Sequence, residues 1–117
     1  GAVTPKLINT MLRKELLKIN GDGTQFRDFT YVRDVINNLK DLMDSDLKGV
    51  THLGHGEPMM LNHYIELIYG HMPNIEYTEH NPIDILWSKA PTPCKKWYGR
   101  EEGMRRTIEW FKKEYGL

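Results

Sequence analysis

Apolar side chains recur along this chain in four helical stretches, separated by short runs of strand-forming residues and sharp turns. Thr4-Pro5 reads as an N-cap followed by proline at the first helical position, where a missing N–H costs nothing. Leu7, Ile8, Met11, Leu12 and Leu16 then repeat at helical spacing, with Arg13, Lys14 and Glu15 on the other side. Leu17-Lys18-Ile19 is a strand candidate, stopped by Gly21-Asp22-Gly23, a turn suited to positive φ. Asp28-Phe29-Thr30-Tyr31-Val32 is rich in strand formers and runs into a second helix with apolar positions Val32, Val35, Ile36, Leu39, Leu42 and Met43. Val50-Thr51-His52-Leu53 is a further strand candidate. Gly54-His55-Gly56-Glu57-Pro58 turns it toward a third helix carrying Leu61, Tyr64, Ile65, Ile68 and Met72, which Pro73 is expected to end. Ile75-Glu76-Tyr77-Thr78 alternates like a strand, and residues from His80 to Trp97, with Pro82, Pro91 and Pro93, read as irregular. A last amphipathic helix spans Glu101 to Tyr115, with Met104, Ile108, Phe111 and Tyr115 on one face.

Helices alternating with very short strands predict an α/β fold: one small domain over residues 1–117, with about four helices and a weak sheet. Something else is expected to cover part of that sheet. The 117 residues bound the answer to a single thin core. Hydrophobic residues at 39% and charged residues at 27% exclude wholesale disorder. Sixteen basic and sixteen acidic side chains cancel, so no global field selects nucleic acid or an anionic membrane as partner. No apolar run approaches the ~18 residues a membrane span needs, and the first residues lack a secretory pattern. The single cysteine, Cys94, excludes an internal disulfide and fits a reducing, cytoplasmic setting.

Most candidate chemistry falls away on spacing. His52 and His55 straddle a strand-to-turn junction without nearby cysteines. His63 and His71, eight residues apart on one helix, lie about 12 Å apart along its axis, too far for one ion. Metal binding is not expected. Cys94 has no evident base partner. Trp110 belongs to the terminal helix and reads as structural. Lys95, Lys96, Arg100, Arg105 and Arg106, interrupted by Glu101 and Glu102, read as a solvated face. Gly54-His55-Gly56 follows a strand candidate, but Met59 stands where a dinucleotide fingerprint needs its third glycine. A tight packing turn is the expectation there.

Three segments together resemble the carboxyl-terminal, substrate-binding portion of the NAD-dependent epimerase/dehydratase family. These are the extended short-chain dehydrogenases, including nucleotide-sugar epimerases such as UDP-glucose 4-epimerase. The run GDGTQFRDFTYVRDV at 21–35 is similar to the family's GDGxQxRDFxYVxDV. GVTHLGHG at 49–56 resembles its GxYNIGxG strand and turn, and EEGMRRTIEWF at 101–111 its terminal EEGLRRTIEWF helix. The resemblance implies that the Rossmann domain, with its glycine-rich turn and Tyr-x-x-x-Lys pair, is absent from these residues. No tyrosine here has lysine four positions later. On that reading the chain binds no cofactor itself, NAD or NADP serves the parent enzyme, and the chain alone is inactive.

The resemblance also assigns roles. Arg27 would contact the nucleotide diphosphate, its guanidinium fork matching phosphate oxygens; pairing with a carboxylate such as Asp28 or Asp84 is the alternative. Lys18 and Asn20, on the strand beside the nucleotide base, and Lys6 in the first helical turn are further substrate-binding candidates, as is Asp84. Asp22 and Asp34 are assigned to turn and helix-start roles, and Gln25 to bracing the loop. Two departures stand out. Asn81 occupies the place of a second diphosphate-clamping arginine, and Met60 that of a helix-capping serine. The expected partners are a UDP-, dTDP- or GDP-sugar, and either the missing Rossmann domain or a second copy covering an exposed apolar patch along Val32, Ile36 and Leu39. A non-catalytic relic, as binding module or oligomeric scaffold, is the alternative function.

Overall fold

The computed structural model describes residues 3–46, 48–80 and 97–116. Asp84, Asn81, Cys94 and most of the stretch read as irregular lie outside the described residues. The described elements are α1 (Val3–Leu12), β1 (Leu17–Asn20), β2 (Phe26–Arg27), α2 (Val32–Met43), β3 (Met59–Met60), α3 (Leu61–Tyr69), β4 (Ile75–Thr78) and α4 (Gly99–Tyr115). Four helices with short strands match the expected α/β class. The strands form two separate pairs among the described residues, not one sheet: β1 runs parallel to β4, and β2 antiparallel to β3.

The core is the apolar pattern of α1, β1, α3 and α4 brought to one place. Leu7 and Ile8 from α1, Leu17 and Ile19 from β1, Leu61, Tyr64, Ile65 and Ile68 from α3, and Met104 and Phe111 from α4 form one buried cluster. Strand β1 alternates inward and outward with period two, so Lys18 and Asn20 face away from that core.

Several boundaries differ from expectation. Helix α1 stops at Leu12, and Leu16 is exposed beyond it, after Lys14 has turned to positive φ. Helix α3 ends at Tyr69, before Pro73; Gly70, at φ 78°, caps it and donates its N–H to the Glu66 carbonyl. Residues 28–31 are not a strand, because their polar side chains bond to the 55–56 turn in place of a backbone ladder. The expected strand at Val50–Leu53 carries no ladder either, with only an isolated bridge at Gly54. The short pair β2–β3 carried no sequence pattern of its own.

Helix α2 departs most from the usual amphipathic plan. It contributes no apolar residue to the core cluster, and its most buried side chain is Asp34, 2% exposed. The Asp34 carboxylate accepts the N–H groups of Trp97 at 2.9 Å, Tyr98 at 3.0 Å and Gly99 at 3.0 Å, the start of α4. The helix-start role holds, but for α4 rather than for Asp34's own helix. Tyr98, the N-cap position of α4, supplies no side-chain cap, so Asp34 satisfies from across the fold what a local cap would. Close contact between α2 and α4 needs Gly103, since a Cβ there would meet the Tyr31 ring at 2.5 Å.

Replacing Asp34 leaves three amides without their acceptor. Asp34→Ala is therefore expected to lower stability by about 2–4 kcal/mol in urea unfolding. Asp34→Asn, which keeps one acceptor oxygen but turns an amide toward a donor, should cost less. Equal stability for all three proteins would remove Asp34 as the fastening of α4.

Candidate functional site

The region around Arg27 is built from backbone accounting. The loop 21–25 makes a hub between β1, α3 and β4. Asp22 folds it into an Asx turn, its Oδ1 accepting the Thr24 N–H at 3.1 Å and the Thr24 hydroxyl. Those two bonds, the hydroxyl's first, hold the Asp22 carboxyl below its ordinary range. The Gly21 N–H donates to the Thr78 carbonyl at 2.8 Å, tying the loop to the end of β4.

The first amides of α3 are satisfied by the same loop. Leu61 N–H donates to the Gln25 carbonyl at 2.8 Å and Asn62 N–H to the Gly23 carbonyl at 2.9 Å. Met60 stands at the N-cap without a side-chain bond, so two loop carbonyls do what the expected serine would. Gln25 does brace the loop, through its backbone. Asn62 closes the hub: its Nδ2 donates to the Asp22 carbonyl at 3.0 Å, and its Oδ1 accepts the Tyr77 hydroxyl at 2.9 Å. Sequence reasoning missed Asn62 and Tyr77, because a polar residue in a first helical turn and a strand tyrosine carry no pattern of their own.

Arg27 leaves this hub on β2, paired with Met59 of β3, half-buried, with an Nη donating to its own chain at the Phe26 carbonyl, 2.8 Å away. The chain immediately after it is pinned as firmly. The Asp28 carboxylate accepts the Gly56 N–H at 3.0 Å, and the Thr30 hydroxyl accepts the His55 N–H at 2.9 Å. Phe29 stacks flat on Tyr64, ring centroids 3.5 Å apart, and the Tyr64 hydroxyl meets Thr4 at 2.8 Å. Burial raises the Tyr64 phenol above its ordinary range.

Arg100 was also missed, having been grouped with the solvated basic face. It is half-buried and donates to the carbonyls of Phe29 and Glu57, bridging the segment after Arg27 to the turn before β3. Burial lowers its pKa, against the opposing charges of Asp28 and Glu57. Among the described residues of that group, Arg105 and Arg106 fit the surface reading, both held by Glu102.

The other candidates gather on β1 rather than beside Arg27 on β2. Lys6 donates from Nζ to the Lys18 carbonyl at 2.7 Å, fastening α1 to β1. Lys18 faces Glu76 at 3.8 Å, and the Asn20 Oδ1 accepts the Thr78 hydroxyl at 2.7 Å, both across the β1–β4 pair. The loop 21–25 joins the two groups. Asp84 lies outside the described residues.

In the 54–56 turn, the amides that would have to face a pyrophosphate point instead at Thr30 and Asp28. Among the described residues no cluster of three His, Cys, Asp or Glu could hold a metal ion, and no helix is long and apolar enough to cross a membrane.

The chain as a whole resembles known proteins in sequence and fold. Residues 1–53 match the NAD dependent epimerase/dehydratase family. The chain is 32% identical to a UDP-glucuronate 4-epimerase of Thermodesulfobacterium geofontis, over 96% of its own length and 38% of that protein. It superposes on a UDP-N-acetylglucosamine 4-epimerase from Methanobrevibacter ruminantium, solved with UDP-N-acetylmuramic acid. The TM-score is 0.86 at 30% identity, covering 97% of this chain and 40% of that one. MoeE5, solved with UDP-glucose and NAD, superposes with a TM-score of 0.77 at 28% identity, covering 96% of this chain and 42% of that one. The chain thus spans 30–38% of the curated relatives it matches first. The epimerase/dehydratase match covers the Arg27 hub, β2 and α2.

Gly23 tests the hub directly. It sits at φ 76°, and a Cβ would land on the Asn62 side chain. Gly23→Ala is expected to cost about 1–3 kcal/mol in urea unfolding and to shift the amide resonances of residues 21–27. Unchanged stability and spectra would mean that the loop is not locked to α3.

Proposed function

We propose that this chain is the substrate-binding part of a nucleotide-diphospho-sugar epimerase or dehydratase. Arg27 grips the diphosphate, and a dinucleotide-binding domain outside these residues carries NAD or NADP and the redox chemistry. The observation that carries the reading is the bracing of Arg27. Its strand is fixed on one side by the 21–25 hub and on the other by Asp28, Thr30 and Arg100, while its cationic side chain is only half-buried. A guanidinium positioned by rigid backbone loses little freedom when it binds phosphate. The solved relatives that hold UDP-sugars support the substrate class, and the NAD of one of them supports the cofactor of the whole enzyme. Lys6, Lys18 and Asn20 would meet the base from the outward face of β1, and Asp84 belongs to the same proposed site. The chain alone is inactive on this reading, and its single cysteine supports a cytoplasmic setting.

The partner surface follows from α2. Val32, Ile36, Leu39 and Met43 are 60%, 43%, 49% and 78% exposed, an apolar stripe at helical spacing that ordinary solvated helices do not carry. The dinucleotide-binding domain would cover it in the complete enzyme, and a second copy in the isolated chain.

NMR titration of the chain with UDP-, dTDP- and GDP-sugars tests the binding role. Saturable shifts around Arg27 are expected, with affinity falling about tenfold or more in Arg27→Ala. No shifts at millimolar ligand would remove the binding role. Sedimentation tests the surface: the wild-type chain should self-associate as its concentration rises, and Ile36→Lys with Leu39→Lys should return it to monomer. A wild-type chain that stays monomeric at high concentration would rule out the second copy as cover.

A further inference from the structure

A groove of 530 Å³ runs between the start of α2 and the outer side of α4. Tyr31, Val32 and Arg33 line one wall, and Arg106, Trp110 and Lys113 the other. The three α4 residues stand at i, i+4 and i+7, so they form a single stripe along the helix. Trp110 was expected to be structural. It is 52% exposed, packed edge-on against Phe111 with ring centroids 5.0 Å apart and against Tyr115 at 6.3 Å, with much of the indole open.

The charges in the groove are unevenly matched. Glu109, its one acidic residue, is held by Arg105 at 2.7 Å. Arg106 bonds Glu102 at 2.9 Å and lies over the Tyr98 ring, 4.6 Å from its centroid. Glu102, bonded by Arg105 and then by Arg106, is held down to about 2 and stays ionised near neutrality. Arg33 and Lys113, one on each wall, make no ion pair among the described residues. The groove therefore presents two unspent cations beside an open indole, in a volume that fits a small molecule. An acidic peptide would use the cations and leave the indole idle. A phosphorylated ligand with a planar ring uses both, because ring stacking is sequence-tolerant and adds to phosphate contact.

We propose that this groove is a second anion site, taking a small phosphorylated ligand with a planar ring, such as a nucleoside monophosphate. The ring lies on Trp110 and the phosphate meets Arg33 and Lys113. This site is independent of Arg27.

The test is an NMR titration of the 117-residue chain, kept below the concentration at which the α2 stripe, Val32 included, brings two copies together, with uridine monophosphate, and with inorganic phosphate, uridine and hexaglutamate run in parallel. The Trp110 indole N–H, assigned with Trp110→Phe, should shift saturably with uridine monophosphate. Arg33→Gln with Lys113→Gln should weaken that binding about tenfold while the circular dichroism spectrum is unchanged. Arg27→Ala should leave the Trp110 shift in place, which separates this site from the substrate site. Three outcomes overturn the proposal: a Trp110 resonance that does not move, inorganic phosphate binding as tightly as the nucleotide, or hexaglutamate displacing it at lower concentration.

Discussion

A single carboxylate fixes the relation between the middle of the chain and its end. Asp34 projects from the first turn of α2 and receives three successive N–H groups at the start of α4. A buried charge without partners would be prohibitive, and here the partners are amides that would otherwise be stranded at a helix start with no local cap. Each side of the contact removes the other's cost. Once α4 is fastened there, Met104 and Phe111 reach the core, Arg100 reaches the carbonyls that flank Arg27, and Gly103 lets α4 lie close to Tyr31.

The same contact explains why α2 looks inside out. Its inward side carries Asp34, whose carbonyl also accepts the Asn38 amide at 2.7 Å, with Val35 half-buried nearby. The hydrophobic residues at 32, 36, 39 and 43 are thereby left on the outward side. An isolated soluble domain gains nothing from such a stripe. A helix shared between two packed bodies does, with its polar side fastened to one and its apolar side to the other. The ladderless segment at 50–53 likewise leaves an apolar side chain open, with Val50 88% exposed.

What was legible in the sequence divides along physical lines. Helices α1, α3 and α4 were readable because burial imposes a period on them, and β1 because inward and outward positions alternate along it. Strand pairs two residues long impose no period, so β2 and β3 were invisible. Asp28–Val32 misled because strand propensity reports fitness for a half-buried surface; there Asp28 and Thr30 supply the bonds by side chain instead. Around Arg27, the resemblance pointed to the arginine, while Asn62, Tyr77 and Arg100 act through bonds to distant carbonyls and side chains that no local pattern records. Met60 shows the limit of local rules: the missing cap was real, and the carbonyls of Gly23 and Gln25, far earlier in the chain, replaced it.

Backbone accounting also constrains how this chain could hold phosphate. A dinucleotide-binding turn holds phosphate with free amides at a helix start. Here both turns that lead toward α3 have assigned those amides elsewhere: 61 and 62 to loop carbonyls, 55 and 56 to Thr30 and Asp28. At the start of α3, any anion recognition therefore falls to cationic side chains. Guanidinium contacts depend on how well the side chain's base is held, which gives the hub around Arg27 its importance. On the proposed function, a substitution that loosened the 21–25 loop would weaken phosphate binding without touching the phosphate, whereas an amide cradle would depend on the helix itself.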